Sequence, residues 1–267
     1  MLTLLACMQQ RAFMLTMLYT AVVSSFAAAA DWKLASPGKV VSLGHGVSFT
    51  QKSVKGPVEV KLNLVCLDAT MAKMEIQAQG AKAEARMMDK WMKAGKSLAA
   101  CNGGYFSPAD FSPAGLQVIG GVRTGTYLPF GEWGGGVGIR NGVPGIFTEK
   151  EVQAQMDFDS FIQCSPVLVN GRVRFTGQGE DIRAGRTFVA HDGGSQWVLG
   201  TTSGTGLREL ADLLASSAER VLGMSVQRAL NLDGGPSTAL WCRREDGQVF
   251  YDKESWPVKN FIVVVPK

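Results

Sequence analysis

Histidine is scarce in this 267-residue chain, which contains only two. His45 lies between two glycines, and His191 precedes Asp192-Gly193-Gly194 in a predicted turn. Histidine is the usual base in nucleophilic catalysis and a frequent metal ligand. The sequence therefore gives little support to a histidine-based triad or a two-histidine metal site, and we predict neither a metal site nor a cofactor.

The five cysteines also lack the C-x-x-C spacing that is typical of zinc sites and redox dithiols. Cys7 lies in the N-terminal leader, which leaves Cys66, Cys101, Cys164 and Cys242. An even number of cysteines in an exported chain allows two disulfides, with three possible connectivities. We expect at least one bridge; the alternative is four buried free thiols.

Clusters of basic residues are absent as well. The 27 Lys and Arg residues are scattered among 23 Asp and Glu residues, and the formal net charge is +4. This charge is too small and too dispersed to indicate a nucleic-acid partner. No linker, repeat or low-complexity segment interrupts residues 31–267, so we predict a single domain over that range.

The N-terminal 30 residues are typical of a secretory signal peptide. Arg11 is followed by a charge-free apolar run, residues 12–30, that ends in small residues just before Asp31. An uncleaved membrane anchor is the alternative, because the run is nearly long enough to span a bilayer. We predict cleavage, a secreted or periplasmic location, and no stable membrane insertion afterwards.

The remaining sequence indicates many short strands. Its glycines, 32 in the whole chain, occur in small clusters between apolar runs. Residues 58–65 alternate apolar and polar side chains with the period of two expected of a half-buried strand. Asn141-Gly142 and Asn170-Gly171, each between two apolar segments, predict hairpins with type I′ turns. A third hairpin is predicted to join residues 187–190 to 196–199.

Two segments predict helices. Residues 81–93 are rich in helix-forming residues and precede Gly95, which could end the helix. Residues 207–222 carry apolar side chains at helical spacing, with Thr205 as a candidate cap and Gly223 as a candidate end. The fold class predicted is mixed α/β (α+β), strand-rich, with several hairpins and about two main helices.

Three stretches suggest a functional site. Asn102-Gly103-Gly104 follows an apolar strand, and Arg186 begins another, where its guanidinium could hold two phosphate oxygens. In the third stretch, Asn231 and Asp233 are two apart and would point to the same face, and Gly234-Gly235 leaves N–H groups open to an anion. Taken alone, each of the first two stretches is better explained as a turn or as a sheet-edge arginine, whereas an ordinary hairpin does not explain the polar pair around Leu232.

Taken together, these motifs resemble the phosphodiester glycosidase family. The resemblance rests on the order of Asn102-Gly103-Gly104-Tyr105-Phe106, Gly115-Leu116, Arg186-Thr187 and Asn231-Leu232-Asp233-Gly234-Gly235-Pro236-Ser237, and covers residues 98–265. The family commonly has a third glycine and a serine-rich run where this chain has Pro236, Ser237 and Thr238. Pro236 lacks an N–H group, so an anion site there would be smaller.

The resemblance implies hydrolysis of a sugar-1-phosphodiester to a free sugar and a phosphomonoester. Asp233 would be the essential carboxylate, and Arg186 would bind the phosphate. Asn102 and Asn231 would hold sugar hydroxyls or the attacking water. The expected substrate-binding and phosphate-binding residues are Arg186, Gly103, Gly104, Thr187, Gly234, Gly235 and Ser237. A second carboxylate, if one is needed, would be Glu180, Asp181 or Asp192.

Two other functions compete with this hypothesis. The same anion-binding groups would serve a phosphodiesterase that cuts the phosphorus–oxygen bond. A non-catalytic envelope protein that binds a glycan would retain Arg186 and the glycines without turning anything over.

Overall fold

The structure is a computed structural model that describes residues 30–93 and 95–267. The signal peptide predicted over residues 1–30 therefore lies outside the described residues, except for Ala30. No helix in these ranges is long and apolar enough to cross a membrane.

The described chain contains mostly strands. In chain order they are β1 (Lys33–Ser36), β2 (Val41–Gly44), β3 (Val47–Lys55), β4 (Glu59–Asp68), β5 (Ala72–Ala78), β6 (Ala99–Asn102), β7 (Gln117–Ile119), β8 (Val122–Thr124), β9 (Gly135–Arg140), β10 (Val143–Thr148), β11 (Ser160–Cys164), β12 (Val167–Asn170), β13 (Val173–Arg174), β14 (Ala184–His191), β15 (Gln196–Thr205), β16 (Arg228–Asn231), β17 (Leu240–Arg243), β18 (Val249–Asp252) and β19 (Asn260–Pro266). The helices are α1 (Met88–Lys93), α2 (Glu149–Ala154), α3 (Leu207–Ser216) and α4 (Ala218–Leu222). The mixed, strand-rich fold class is confirmed.

The strands form three antiparallel sheets. The largest has nine strands in the order β1-β3-β4-β15-β14-β16-β12-β13, with β2 also paired to β3. The two smaller sheets have the orders β10-β9-β11-β7-β8 and β18-β17-β6-β19-β5. Residues 31–97, which lie outside the family resemblance, supply four strands of the large sheet and one edge strand of a smaller sheet.

The large sheet is buried on both faces because its strands alternate two sets of apolar side chains. Leu62, Leu64 and Phe188 pack with α3 and α4 on one face. Val65 and Leu199 face the two smaller sheets on the other. The strands in the middle of this sheet are buried on both faces. The candidate site forms at the end of one of these buried strands.

The predicted hairpins are present, with one change of turn. Arg140 pairs with Val143, and Asn141 and Gly142 have φ angles of 52° and 75°, as a type I′ turn requires. In the second hairpin Asn170 pairs with Val173, so the turn residues are Gly171 and Arg172 instead of the predicted Asn170-Gly171. The third hairpin joins β14 and β15, where His191 pairs with Trp197.

The two predicted helices are shorter than expected. Only Met88–Lys93 of the 81–93 segment is α-helical, after a 3-10 turn at Lys82–Glu84. The Gln79 side chain accepts from Arg86 N–H and donates to Arg86 C=O, which keeps Arg86 out of the helix. The buried Glu254 carboxylate accepts from Met88 N–H at 2.6 Å, where α1 begins. The second helix is interrupted at Ser217 and ends, as predicted, at Gly223.

The expected disulfide is not formed: Cys66, Cys101, Cys164 and Cys242 are all free thiols. Cys101 and Cys242 share a face of neighbouring strands, but Cys101 pairs with Leu240 and Cys242 with Ala99. Such diagonal neighbours lie roughly 7 Å apart. A disulfide needs Cβ atoms only about 4 Å apart, so this pair cannot form a bridge without a shift of register.

Candidate active site

Asp233 lies just beyond the end of β16, where the chain leaves the large sheet. The Asp233 N–H donates to Gly103 C=O at 3.0 Å, and the Gly234 N–H donates to Asp233 Oδ1 at 2.9 Å. Burial raises the pKa of the Asp233 carboxyl, while hydrogen bonds from Ser237 and from the Gly234 N–H oppose that rise. The carboxylate is therefore partly desolvated and fixed in direction by the residues that follow it.

Asn231 carries a buried acceptor that has no partner. Its side chain is only 2% exposed, and Nδ2 donates to the Tyr105 hydroxyl at 3.2 Å and to Ser165 C=O at 3.0 Å. Its Oδ1 atom has no hydrogen bond within the described part of the chain. Because an unpaired buried acceptor is costly, this atom is suited to bind a hydroxyl group of a ligand or a water molecule.

Tyr105 links Asn231 to the surroundings of Asp233. The Tyr105 hydroxyl donates to Ser165 C=O at 2.5 Å. Burial raises the pKa of Tyr105 well above its usual value, and the nearby charge of Asp233 adds to the effect. Tyr105 is therefore neutral and holds Asn231 and the Ser165 carbonyl in place.

Arg186 presents a guanidinium that has no acidic partner. Its Nε donates to Thr205 C=O at 3.1 Å and its Nη2 to Ile182 C=O at 2.5 Å. Among the described residues no carboxylate lies within ion-pair distance of it, and burial lowers its pKa. Two backbone carbonyls thus set the orientation of a half-buried cation whose charge an anionic ligand would balance.

Arg186 lies close to the Asp233-Gly234 turn. A Cβ atom built on Gly234 would lie 3.7 Å from Arg186 Cδ and 2.8 Å from Gly185 C=O. A side chain at position 234 would therefore collide with the strand that carries Arg186. The glycine brings the carboxylate loop and the guanidinium into one site.

Asn102 and Thr187 lie beneath this site, and each is 0% exposed. Asn102 Oδ1 accepts from the Thr187 hydroxyl at 2.6 Å and from Ala239 N–H at 3.0 Å. Its Nδ2 donates to Asp233 C=O at 2.7 Å. Sequence reasoning assigned Asn102 to sugar hydroxyls or water; the geometry makes it a support for the main chain of Asp233.

The predicted glycines fall into two pairs. The Gly103 and Gly104 N–H groups donate to the main-chain and side-chain oxygens of Asn260, at 2.9 and 2.7 Å. Gly235 begins a 3-10 turn, Gly235–Ser237, in which the Ser237 N–H donates to Gly234 C=O. Gly103 and Gly104 thus pack the strand end, whereas Gly234 and Gly235 border the open side of the carboxylate.

The model of the phosphodiester glycosidase family matches residues 95–265. The chain belongs to this family. The matched range contains every predicted site residue, and it excludes β1 to β5.

Solved structures share the fold of this family member. The zebrafish N-acetylglucosamine-1-phosphodiester alpha-N-acetylglucosaminidase catalytic domain, described as auto-inhibited by its pro-peptide, is 17% identical, with a TM-score of 0.59 over 90% of this chain and 89% of that one. A hypothetical protein from Synechocystis is also 17% identical, with a TM-score of 0.61 over 87% of this chain and 64% of that one. No curated protein sequence gives a significant match.

The candidate second carboxylates of this family member have other contacts. Asp181 accepts from the Arg208 and Glu209 N–H groups at the start of α3. Asp192 accepts from Gly194 N–H at 2.7 Å and from Gln196 N–H at 3.2 Å within its turn. No contact in the described chain draws Glu180 into the site. No group of three or more His, Cys, Asp or Glu side chains in residues 30–93 and 95–267 could hold a metal ion.

Sequence reasoning missed two members of the site. Tyr105 belongs to the Asn102–Phe106 motif but was not assigned to the site, because an aromatic residue after two glycines is usually a core residue. Ser165 contributes only a carbonyl, for which a side-chain pattern gives no signal. The unpartnered Asn231 Oδ1 depends on both, and only the tertiary structure brings them together.

Proposed function

We propose that this protein hydrolyses the bond between the anomeric carbon of a sugar and the oxygen of a phosphodiester, releasing a free sugar and a phosphomonoester. Membership of the phosphodiester glycosidase family supports a glycosidase-type enzyme. The observation that carries the proposal is a half-buried Arg186 without an ion-pair partner, whose strand packs against the Gly234 that follows the partly desolvated Asp233. One group suits a phosphate, and the other suits a sugar carbon that develops positive charge.

The proposed reaction is a hydrolysis in which each site residue has one role. Water supplies the new bond to the anomeric carbon, the bond from that carbon to the phosphate oxygen breaks, and the phosphate leaves with the bonding electrons. Asp233 acts on the sugar side as nucleophile or base. Arg186 binds the phosphate, assisted by the Gly235 N–H, since the Gly234 N–H donates to Asp233 Oδ1. Asn231 Oδ1 accepts a hydrogen bond from a sugar hydroxyl or from the attacking water.

Asn102 and Thr187 are positioning residues in this mechanism. They hold the Asp233 main chain through one side-chain network, and Ser237 hydrogen-bonds to the carboxylate. A phosphomonoester is a good leaving group, so one carboxylate can suffice. Asp181 and Asp192 are accordingly engaged in helix-capping and turn contacts, and neither is required as a second carboxylate.

We also propose that the protein acts outside the cytoplasm. The support is the pattern of residues 1–30: one basic residue, an apolar run and small residues before Asp31. Separation of an epitope-tagged full-length chain into cell fractions, with the mature N-terminus sequenced, tests this. A start near Asp31 supports the proposal, and an intact N-terminus in the membrane fraction contradicts it.

The activity is tested by incubating the purified protein with a panel of sugar-1-phosphodiesters in ¹⁸O-labelled water. We expect free sugar that carries the label, plus an unlabelled phosphomonoester. Asp233→Asn should lower kcat/KM by roughly a thousandfold, whereas the matched turn variant Asp192→Asn should retain activity.

Each other outcome assigns a different function. Label in the phosphate, with sugar-1-phosphate as the product, would identify a phosphodiesterase that cuts the phosphorus–oxygen bond. Binding without turnover across the panel would identify a glycan-binding protein. A folded Asp233→Asn variant with near wild-type turnover would remove Asp233 from the mechanism.

A further inference from the structure

The first described residues of the chain are tied to α3 by one buried carboxylate. Asp212 is 8% exposed, and its Oδ2 atom accepts from the Ala30 main-chain N–H at 2.9 Å and from Trp32 Nε1 at 3.0 Å. Its Oδ1 atom pairs with the Arg174 guanidinium. A single carboxylate on α3 therefore fixes the point at which residue 30 meets the folded protein.

Trp32 anchors this end of the chain in the core. Its side chain is 1% exposed and packs in the apolar cluster that includes α3 and α4. A Cβ atom built on Gly56 would lie 2.5 Å from Trp32 Cε3, so a side chain in the β3–β4 turn would displace the indole. The Trp32 C=O also accepts from Arg220 Nη1 at 2.8 Å. The contact between Ala30 and Asp212 is thus held in place by packing two residues further along.

Ala30 is also one of two residues at which a mature chain can begin. The run Ala27-Ala28-Ala29-Ala30 satisfies the A-x-A pattern of a signal-peptide cleavage site in two registers. Cleavage after Ala29 makes Ala30 the first residue, whereas cleavage after Ala30 makes Asp31 the first. The small-residue pattern alone does not choose between them.

The two cuts leave Asp212 with different partners. A cut after Ala29 turns the Ala30 N–H into an ammonium group at a position that already donates to Asp212 Oδ2. A cut after Ala30 removes that donor and leaves Trp32 Nε1 alone on this oxygen. A hydrogen bond from an ammonium to a carboxylate is roughly twice as strong as a neutral one, and a buried acceptor that loses a donor is costly. The contacts of Asp212 therefore favour the first cut.

The other charges around this end of the chain are already engaged. Arg174 on β13 pairs with Asp212, and the Arg220 guanidinium on α4 donates to a main-chain oxygen. Asp31 and Lys33 pair with each other at the surface, at 3.1 Å. The two guanidinium groups oppose a further cation, so the contribution of the Asp212 carboxylate has to be measured by replacing that carboxylate alone.

We infer that the leader is removed between Ala29 and Ala30, and that Asp212 binds the ammonium group that this cleavage creates. The inference rests on the proposed export and is independent of the glycosidase activity. Hydrolysis of the peptide bond consumes one water molecule and leaves Ala29 with a carboxylate and Ala30 with an amine, which is protonated at neutral pH. Removal of the leader then adds an ion pair between the mature N-terminus and α3.

The test uses the exported protein, purified from cells that express the full-length chain. Sequencing of its N-terminus should give Ala30. The protein is then treated with an amine-acylating reagent at neutral pH, and mass spectrometry of the N-terminal peptide gives the rate at which the α-amino group reacts. Only the unprotonated amine reacts, so an ion pair slows the reaction. We expect Asp212→Asn to react about ten times faster than the wild type, which corresponds to one unit of α-amino pKa.

The matched control is Asp246→Asn. It removes a carboxylate that also pairs with an arginine, Arg244, at 3.6 Å in the turn between β17 and β18. Its α-amino group should react at the wild-type rate. If Asp212→Asn does not fold, the wild type alone decides, because its α-amino group should react about ten times more slowly in buffer than in urea. Equal rates in the wild type and a folded Asp212→Asn variant, or in buffer and urea, would overturn the inference.

The N-terminal sequence separates this inference from the export proposal. A start at Asp31 would keep the export and reject Asp212 as the partner of the terminus. An intact N-terminus would reject both. A start at Ala30 with a slow α-amino group would support both, whatever the protein hydrolyses.

Discussion

Thr187 and Asn102 form a buried hydrogen bond under Asp233. Thr50, a buried threonine on another strand, has no such bond and serves as the comparison. Thr187 Oγ1 donates to Asn102 Oδ1 at 2.6 Å, whereas Thr50, 5% exposed, has no partner for its hydroxyl among the described residues. Thr187→Val should lower the free energy of unfolding by about 1–2 kcal/mol. Thr50→Val should leave it unchanged or raise it by up to about 1 kcal/mol.

Urea unfolding of both variants measures this difference. The slope of free energy against urea should be the same in each, so that the midpoints report stability alone. If both variants were destabilised equally, the hydrogen bond to Asn102 would contribute nothing specific. Thr187→Val should also reduce kcat, because the main chain of Asp233 loses part of its support.

The role proposed for Asp233 predicts how activity varies with pH. Its folded-state pKa is raised by burial and held down in part by the Ser237 hydroxyl and the Gly234 N–H. As nucleophile or base Asp233 must be ionised, so kcat/KM should fall as pH decreases through this raised pKa. Ser237→Ala removes a donor to the ionised form, so the pKa should rise further and the acidic limb should move to higher pH.

Profiles of kcat/KM against pH check that shift. Ser216→Ala is the control, since the Ser216 hydroxyl donates to Asp212 C=O on α3, away from the carboxylate. Its acidic limb should coincide with that of the wild type. An acidic limb that stays in place or moves to lower pH in Ser237→Ala would contradict the prediction, because the limb would then not report a carboxylate that the Ser237 hydroxyl stabilises in its ionised form.

At the scale of residues, the sequence predicted that the N–H groups of Gly234 and Gly235 are open to a ligand anion. In the structure the Gly234 N–H donates instead to Asp233 Oδ1. The position of Asn102 under Asp233 could not be predicted, because its partners Thr187 and Ala239 are distant in the chain. Burial and hydrogen-bond capacity are tertiary properties.

Strands could be predicted from the sequence where turn residues mark their ends. Asn141-Gly142 has the positive φ angles of its turn type, so the β9–β10 register follows from sequence. The sequence gave no comparable signal for the break between α3 and α4 at Ser217. There the Ser216 hydroxyl donates to the carbonyl four residues earlier, a contact that bends helices. The spacing of polar residues does not reveal such a contact.

The end of α4 allows a controlled test of a single glycine. Gly223 has a φ angle of 83°, and no atom lies within 4 Å of a Cβ atom built there, so Gly223→Ala would be strained only through the backbone. We expect a loss of about 1 kcal/mol in unfolding free energy. Gly204 in β15 is equally open but has no positive φ angle.

Gly204→Ala is therefore the control for that loss. It should be neutral or stabilise by up to about 1 kcal/mol, since alanine restricts the unfolded chain without straining the folded one. Thermal unfolding of the two variants under the same conditions measures the contrast. Equal effects would show that the left-handed conformation at Gly223 is not what ends α4.

At the scale of the molecule, the N-terminal third was the least predictable part. Its strand β4 pairs with β15, so that Asn63 lies opposite Thr201, and no local pattern fixes a pairing over such a separation. The family match at residues 95–265 contains Asp233, Arg186 and the candidate glycines, whereas β3 and β4 lie outside it.

Three of the four described cysteines, Cys101, Cys164 and Cys242, are buried in the core of the molecule. Burial raises the pKa of Cys164 and of Cys242 to about 12 each and raises that of Cys101 as well, so none of the three forms the reactive thiolate. In a Cys7→Ser background we expect only Cys66, which is half-buried, to react slowly with a thiol reagent in the native state. All four should react after unfolding, and a reductant should leave the thermal midpoint unchanged. If the reductant lowered the thermal midpoint, the protein would contain a disulfide. The stability of the protein would then depend in part on a covalent link and not on the packing of its apolar clusters alone. The register of β6 and β17, which separates Cys101 from Cys242, argues against one.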